Sequence, residues 1–309
     1  MPPPVEADPR SSPHRFDVLC AGLVCADLTL TVPHHPGADE KLRASRRKIT
    51  PGGPAAVAAA QIARLGGHVA FAGVIGDAAQ DPFAPLLRHA LNHAGIDTAH
   101  LCSVPGHDTP LAAILVKPDA SRAVVSHRPP PPADFVTKSV TNSLNPLLNN
   151  TPASPTVVTN LVTFPSARVV LVDGHRPEWT PAIIDHTRAH QTPLVLDAGS
   201  WTHAVRDLAA AADHLIASEA CARGALGVAQ DPANVPPATL RSALAARPDA
   251  TMIVTLGARG LVWSTFEASG SLPAYRIDAV DTTGAGDAFH GAYVLGLARG
   301  QPLAERMRF

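Results

Sequence analysis

The chain has 309 residues, 46% of them hydrophobic, enough for one large α/β domain with a small appendage. A formal net charge of −1 offers no basic field for nucleic acid or an anionic membrane, and 4% aromatic residues leave little for base stacking. No apolar run reaches membrane-spanning length, and residues 1–15 are proline-rich without the apolar core of an export signal, so a flexible tail and a cytoplasmic location are expected.

Residues 16–24 form a short apolar run bounded by Gly22 and read as a first buried strand. Strands follow over 28–32 and 42–49, the second alternating with Arg43, Arg46, Arg47 and Lys48 so that one face is wet. Pro51-Gly52-Gly53-Pro54 breaks the chain before an alanine-rich helix over about 55–65, which Gly66-Gly67 closes. A strand over 68–75 and a helix over 81–94 come next. Residues 111–117 and 122–127 read as a hairpin, which with the strands at 28–49 predicts a small separate sheet lying over the substrate as a lid. The edges of such a sheet offer a surface for homodimerisation. Residues 129–160, rich in Pro, Asn, Thr and Ser, read as a long loop or poorly ordered insert.

Later, strands over 169–172, 194–196, 214–217 and 252–256 alternate with helices over 181–190, 205–212 and 288–298. That alternation predicts a mostly parallel central sheet covered by helices on both faces. His186 and His190 have metal-ligand spacing but no third ligand, and are expected on a solvated helix face. Cys20, Cys25, Cys102 and Cys221 lack C-x-x-C pairing and fit small buried residues of a reducing compartment.

The most informative stretch is Asp281-Thr282-Thr283-Gly284-Ala285-Gly286-Asp287-Ala288-Phe289, a glycine turn ending in an acid just before an apolar helix. Amides at a helix start lack intrahelical partners, and the helix dipole adds positive charge there. Gly284 and Gly286 remove side chains that would keep a phosphate away. Asp287 is placed to orient a hydroxyl and take its proton as the oxygen attacks phosphorus. Loop, donors and base together describe phosphoryl transfer to an alcohol. No G-x-x-x-x-G-K-[ST] string is present, so P-loop kinases are not the pattern.

The D-T-T-G-A-G-D-A-F string closely resembles the C-terminal signature of the PfkB, or ribokinase-like, family of small-molecule kinases, and the resemblance runs from about Phe16 to Leu303. It implies a ribokinase-like three-layer α/β/α fold with a small β-sheet lid. Gly22 to Asp27 is similar to the family's first strand and its substrate-binding aspartate, here Asp27. Gly52-Gly53, with Leu65-Gly66 after the helix, resembles the N-terminal signature in which two glycines let backbone approach the sugar. Four residues after Gly53 the family usually has an asparagine for a sugar hydroxyl; this chain has Val57, which cannot donate or accept. Either the substrate lacks that contact, another residue supplies it, or the site is impaired.

Asp173 and Asp197 resemble acids at strand ends on the active-site rim, and the surroundings of Asp197 look closer to the ketohexokinase-like and sulfofructose-kinase-like branch. Ser218-x-x-Cys221 stands where relatives carry N-x-x-E, with Glu219 displaced by register but implied at the Mg²⁺ water shell. Thr255, Gly257 and Gly260 resemble the strand-turn beside the nucleotide, as Ser218 does. Asp281 and Thr283 match positions of a monovalent-cation (K⁺) site. Only about twenty residues follow Asp287, where relatives continue over the adenine, so a truncated form is expected.

The implied reaction moves the γ-phosphoryl of ATP, with Mg²⁺ and K⁺, to a hydroxyl of a sugar or sugar-like polyol. Asp287 is the base, Gly284, Ala285 and Gly286 are the anion hole, and Asp27, Gly52, Gly53 and the Val57 position hold the acceptor. The alternative is a catalytically impaired or truncated kinase-fold protein that binds sugar or nucleotide without turnover.

Overall fold

The computed structural model describes residues 14–119, 121–130, 164–227, 230–277, 282 and 284–308. Strand β1 (Phe16–Ala21) is buried along almost all its length, because it lies mid-sheet and is covered on both faces. The first turn of chain beyond it, at Gly22, ends the strand earlier than expected, and β2 (Cys25–Thr31) starts the lid only three residues later. Strand β3 (Arg46–Gly52) returns antiparallel to β2, with Asp27 opposite Thr50.

Helix α1 (Pro54–Arg64) follows at once, with proline in its first turn and Gly53 as N-cap at φ 97°. Strand β4 (Val69–Ile75), buried at every position, pairs in parallel with β1; helix α2 (Phe83–His93) and strand β5 (Leu101–Ser103) extend that side. Strands β6 (Leu111–Val116) and β7 (Arg122–His127) form the expected hairpin and complete a four-stranded lid of order β3-β2-β6-β7.

On the other side of β1 lies β8 (Ala167–Val172), and the chain then steps outward through helix α3 (Thr180–Ala189), β9 (Leu194–Ala198), α4 (His203–Ala209), β10 (His214–Ser218), α5 (Glu219–Leu226), α6 (Pro237–Ala243) and β11 (Thr251–Thr255). These strands are parallel. Strands β12 (Leu261–Ser264) and β13 (Ser269–Leu272) instead return antiparallel and close a nine-stranded sheet. A tight turn after β11 leaves no room for a crossover helix, so the direction reverses. The chain ends in α7 (Ala285–Ala298) and α8 (Leu303–Arg306).

Two apolar layers flank the sheet, giving a three-layer α/β/α arrangement. Trp179, Leu196, Leu208 and Leu240 fill one, under α3, α4 and α6; Ile62, Phe71, Leu87 and Tyr293 fill the other, under α1, α2 and α7. Alanine in α1 permits close approach to α7: a Cβ on Gly291 would run into the Ala58 carbonyl. His186, expected on a wet face, is buried against the Phe164 ring at 5.8 Å between centroids, because Phe164, three residues before β8, packs over α3. Residues 1–13 of the expected tail and 131–160 of the expected insert lie outside the described residues. Among the described residues no helix is long and apolar enough to cross a membrane.

Candidate active site

Strand order reverses at β1, from which the chain runs to β4 and β5 on one side and to β8–β11 on the other. A crevice opens at the carboxyl ends of strands where connections diverge in this way. Asp173, directly after β8, spans it. Its Oδ2 accepts from the Leu23 amide at 2.8 Å and the Ala55 amide at 3.2 Å, and its Oδ1 from the His175 amide at 3.0 Å. One buried carboxylate therefore fixes the turn after β1 and the start of α1. Gly22 is glycine because any side chain would enter the Asp173 carboxylate.

Asp27 sits at the lid end of the crevice. A Cβ on Gly52 would collide with its carboxylate, and one on Gly53 with the Leu23 carbonyl, so both glycines are required by close approach. Cys25 Sγ donates to Asp27 Oδ1 at 3.1 Å. Burial raises the Asp27 carboxyl above its ordinary range, opposed by that bond and by the Arg128 guanidinium.

Gly284 caps α7 in the left-handed conformation, φ 73°, and lies against Val57 of α1. The space in front of Gly286 is open, with nothing within 4 Å of a built Cβ. The Ala285 amide turns back to the Thr282 carbonyl at 3.2 Å. Asp287 is partly buried, and its carboxyl is pushed up to about 6 by burial, then by Asp173 and Asp27. Asp281 and Thr283 lie outside the described residues.

Behind Asp287, one helical turn on, is a residue the sequence reading missed. His290 Nδ1 lies 3.1 Å from Asp197 Oδ2 at the end of β9, both side chains buried, though not aligned for a straight hydrogen bond. Asp197, Asp287 and His290 converge within 4.8 Å. The i, i+3 spacing from Asp287 was the only signal in the sequence.

The nucleotide-side residues occupy neighbouring strand ends. Ser218 caps α5, accepting from the Cys221 amide at 3.0 Å and donating to the Gly199 carbonyl at 2.8 Å. Thr255 Oγ1 reaches the Ala217 carbonyl at 3.4 Å, and Gly257 and Gly260 take φ of 60° and 90° in the turn after β11. Glu219 is held by Arg223 at 2.7 Å and Arg259 at 2.9 Å. Two guanidiniums thus share the carboxylate at the position expected for the Mg²⁺ water shell. A cavity of about 420 Å³ opens beside the lid, lined by Asp81, Phe83, His107 and Leu111, apart from the glycine turn.

This constellation can be set beside known proteins. Residues 15–309 match the pfkB family carbohydrate kinase. The chain belongs to that family. Its reaction class, phosphoryl transfer to a carbohydrate, comes with membership. Ribokinase of Bacillus subtilis is 24% identical over 95% of this chain and 89% of its own length. Deoxyribokinase of Salmonella typhi is 27% identical over 90% of this chain and 84% of its own. The structure of Arabidopsis thaliana ribokinase complexed with ribose and ATP superposes with a TM-score of 0.69, at 20% identity, over 94% of this chain and 89% of that one. In this pfkB kinase, then, the three-layer body and lid expected from the sequence are the family's own architecture.

Proposed function

We propose that this kinase transfers the γ-phosphoryl group of ATP to a hydroxyl of a small sugar or sugar-like polyol, with Asp287 as general base. The observation that carries this is the placing of Asp287: in the first turn of α7, beside the open face of Gly286, with a carboxyl raised to about 6. A base serves best with a pKa near the working pH. The acceptor oxygen bonds to the γ-phosphorus, the bond to the ADP oxygen breaks, and the hydroxyl proton passes to Asp287. Amides of the Gly284–Gly286 turn face the charge on the transferred group. Asp27, against Gly52, holds acceptor hydroxyls, with Gly53 beside it and Val57 forming an apolar wall. Ser218, Thr255, Gly257 and Gly260 mark the nucleotide side. Mg²⁺ arrives with the nucleotide, bound mainly through phosphate oxygens and water, and K⁺ belongs to the segment around Asp281 and Thr283.

The ribokinase, deoxyribokinase and fructokinase relatives support a small-sugar acceptor of pentose or hexose size. A cytoplasmic enzyme that pairs through the lid edges β3 and β7 completes the reading; Val124 and Val125 on β7 are 52% and 75% exposed. Val57 and the paired Glu219 favour a second reading, a binder without turnover.

The test is ADP release with ATP, Mg²⁺ and K⁺ across ketoses, aldoses, phosphorylated and sulfonated sugars and nucleosides. Turnover with one acceptor, reduced by roughly 10²–10⁴ in Asp287→Asn, is the expected result. Full turnover in the variant removes Asp287 as base. Silence throughout, with ligand-induced thermal stabilisation, selects the binder.

A further inference from the structure

Resting on the assignment of Asp287 as base, we propose that Asp197 and His290 are its positioning pair, uncharged together so that no net charge lies behind the base, while the imidazole anchors the glycine turn to the sheet. Both side chains are 4% exposed, their Oδ2 and Nδ1 atoms are 3.1 Å apart, and Asp287 converges on them within 4.8 Å. Three separate elements meet here: β9 brings Asp197, α7 brings Asp287 and His290, and the carbonyls of Ile216 on β10 and Gly286 in the turn lie against the ring. Gly286 is the glycine whose open face receives the transferred group, so a ring held between β9, β10 and that carbonyl sets where the turn stands.

Carboxylates this close do not ionise independently. Asp197 faces Asp287, Asp173 from the end of β8, and Cys221 of α5; Asp287 also faces Asp27 from the lid. Burial, then Asp287 and Asp173, push Asp197 well up, while burial pushes His290 down to about 4 against the two carbonyls. Near pH 7 Asp197 keeps its proton and His290 stays neutral, so the pair behind the base carries no net charge.

Two measurements decide this. Nitrogen-15 NMR of histidine-labelled protein, with His290 assigned by its loss in His290→Asn, needs no substrate and stands even if no acceptor is found. A ring without a titration step between pH 5 and 8 is expected; an ordinary step near about 6.5 overturns the proposal. The second is the pH profile of kcat. In Asp197→Asn the amide replaces a group already neutral, so kcat falls by about tenfold while the acid limb stays within about 0.3 units. A limb moved down by about one unit means that wild-type Asp197 is ionised, and the proposal fails. His290→Ala should lower kcat by roughly 10–100-fold with KM for ATP unchanged, partly restored by His290→Asn. A folded His290→Ala enzyme with wild-type kcat overturns the positioning role.

Discussion

The carboxyl of Asp287 is held where its protonated form is favoured, raised to about 6 by burial and by the acids Asp173 and Asp27. Only the ionised form accepts a proton, so turnover should rise through pH 5 to 7, about tenfold per unit on the acid side, and level off above. A kcat profile flat down to pH 4.5 would contradict this. The same shift has a thermodynamic sign. Because the folded-state pKa exceeds the ordinary carboxylate value, the folded state gains by holding the proton at low pH, and that stability is lost as pH rises through about 6. Asp287→Asn should therefore melt higher than wild type at pH 7.5, with the difference closing near pH 4. Legibility at this scale followed locality. The turn from Gly284 to Asp287 is contiguous and was read directly, whereas the work of Asp173 and His290 depends on atoms brought from Leu23, Ala55 and Asp197, which no spacing announces. Gly22, a glycine pressed on an acid 150 residues away, shows why such a need is invisible in one dimension.

Among elements, the long periodic ones were readable: α1, β4, α2, α7 and the β6–β7 hairpin stand close to their expected bounds. The short parallel strands β9, β10 and β11 were readable too, but other short elements were not. Helices α5 and α6 have 8 and 7 residues, too few for a periodic face to stand out, and β12 and β13 have four each. Beyond the ladder that pairs β1 with β8, the turn after β1 and the start of α1 are tied to the end of β8 by the side chain of Asp173. Asp173→Ala would leave the amides of Leu23, Ala55 and His175 without their acceptor, at a cost of roughly 2–4 kcal/mol. The expected result is a denaturant midpoint shifted down together with a raised KM for the acceptor, since Gly53 and Asp27 lose their frame. An unchanged midpoint would mean that water replaces the carboxylate there.

Across the molecule, acidic side chains are distributed unevenly despite a net charge of −1: Asp27, Asp173, Asp197 and Asp287 gather around one crevice. The three layers and the separate lid were legible because alternation of strand and helix, interrupted by wet strands, encodes them; the antiparallel edge was not, because it is decided by one short turn. Asp27 belongs to the lid sheet, paired across from Thr50 and Ala112, while Asp287 belongs to the body. A sugar held by Asp27 and deprotonated by Asp287 must therefore touch both parts at once. Acceptor-free hydrolysis of ATP should run at least about 100-fold slower than transfer, as ADP release with and without sugar would report. In that arrangement the sugar is its own admission ticket: fuel is spent only when there is cargo to carry it away.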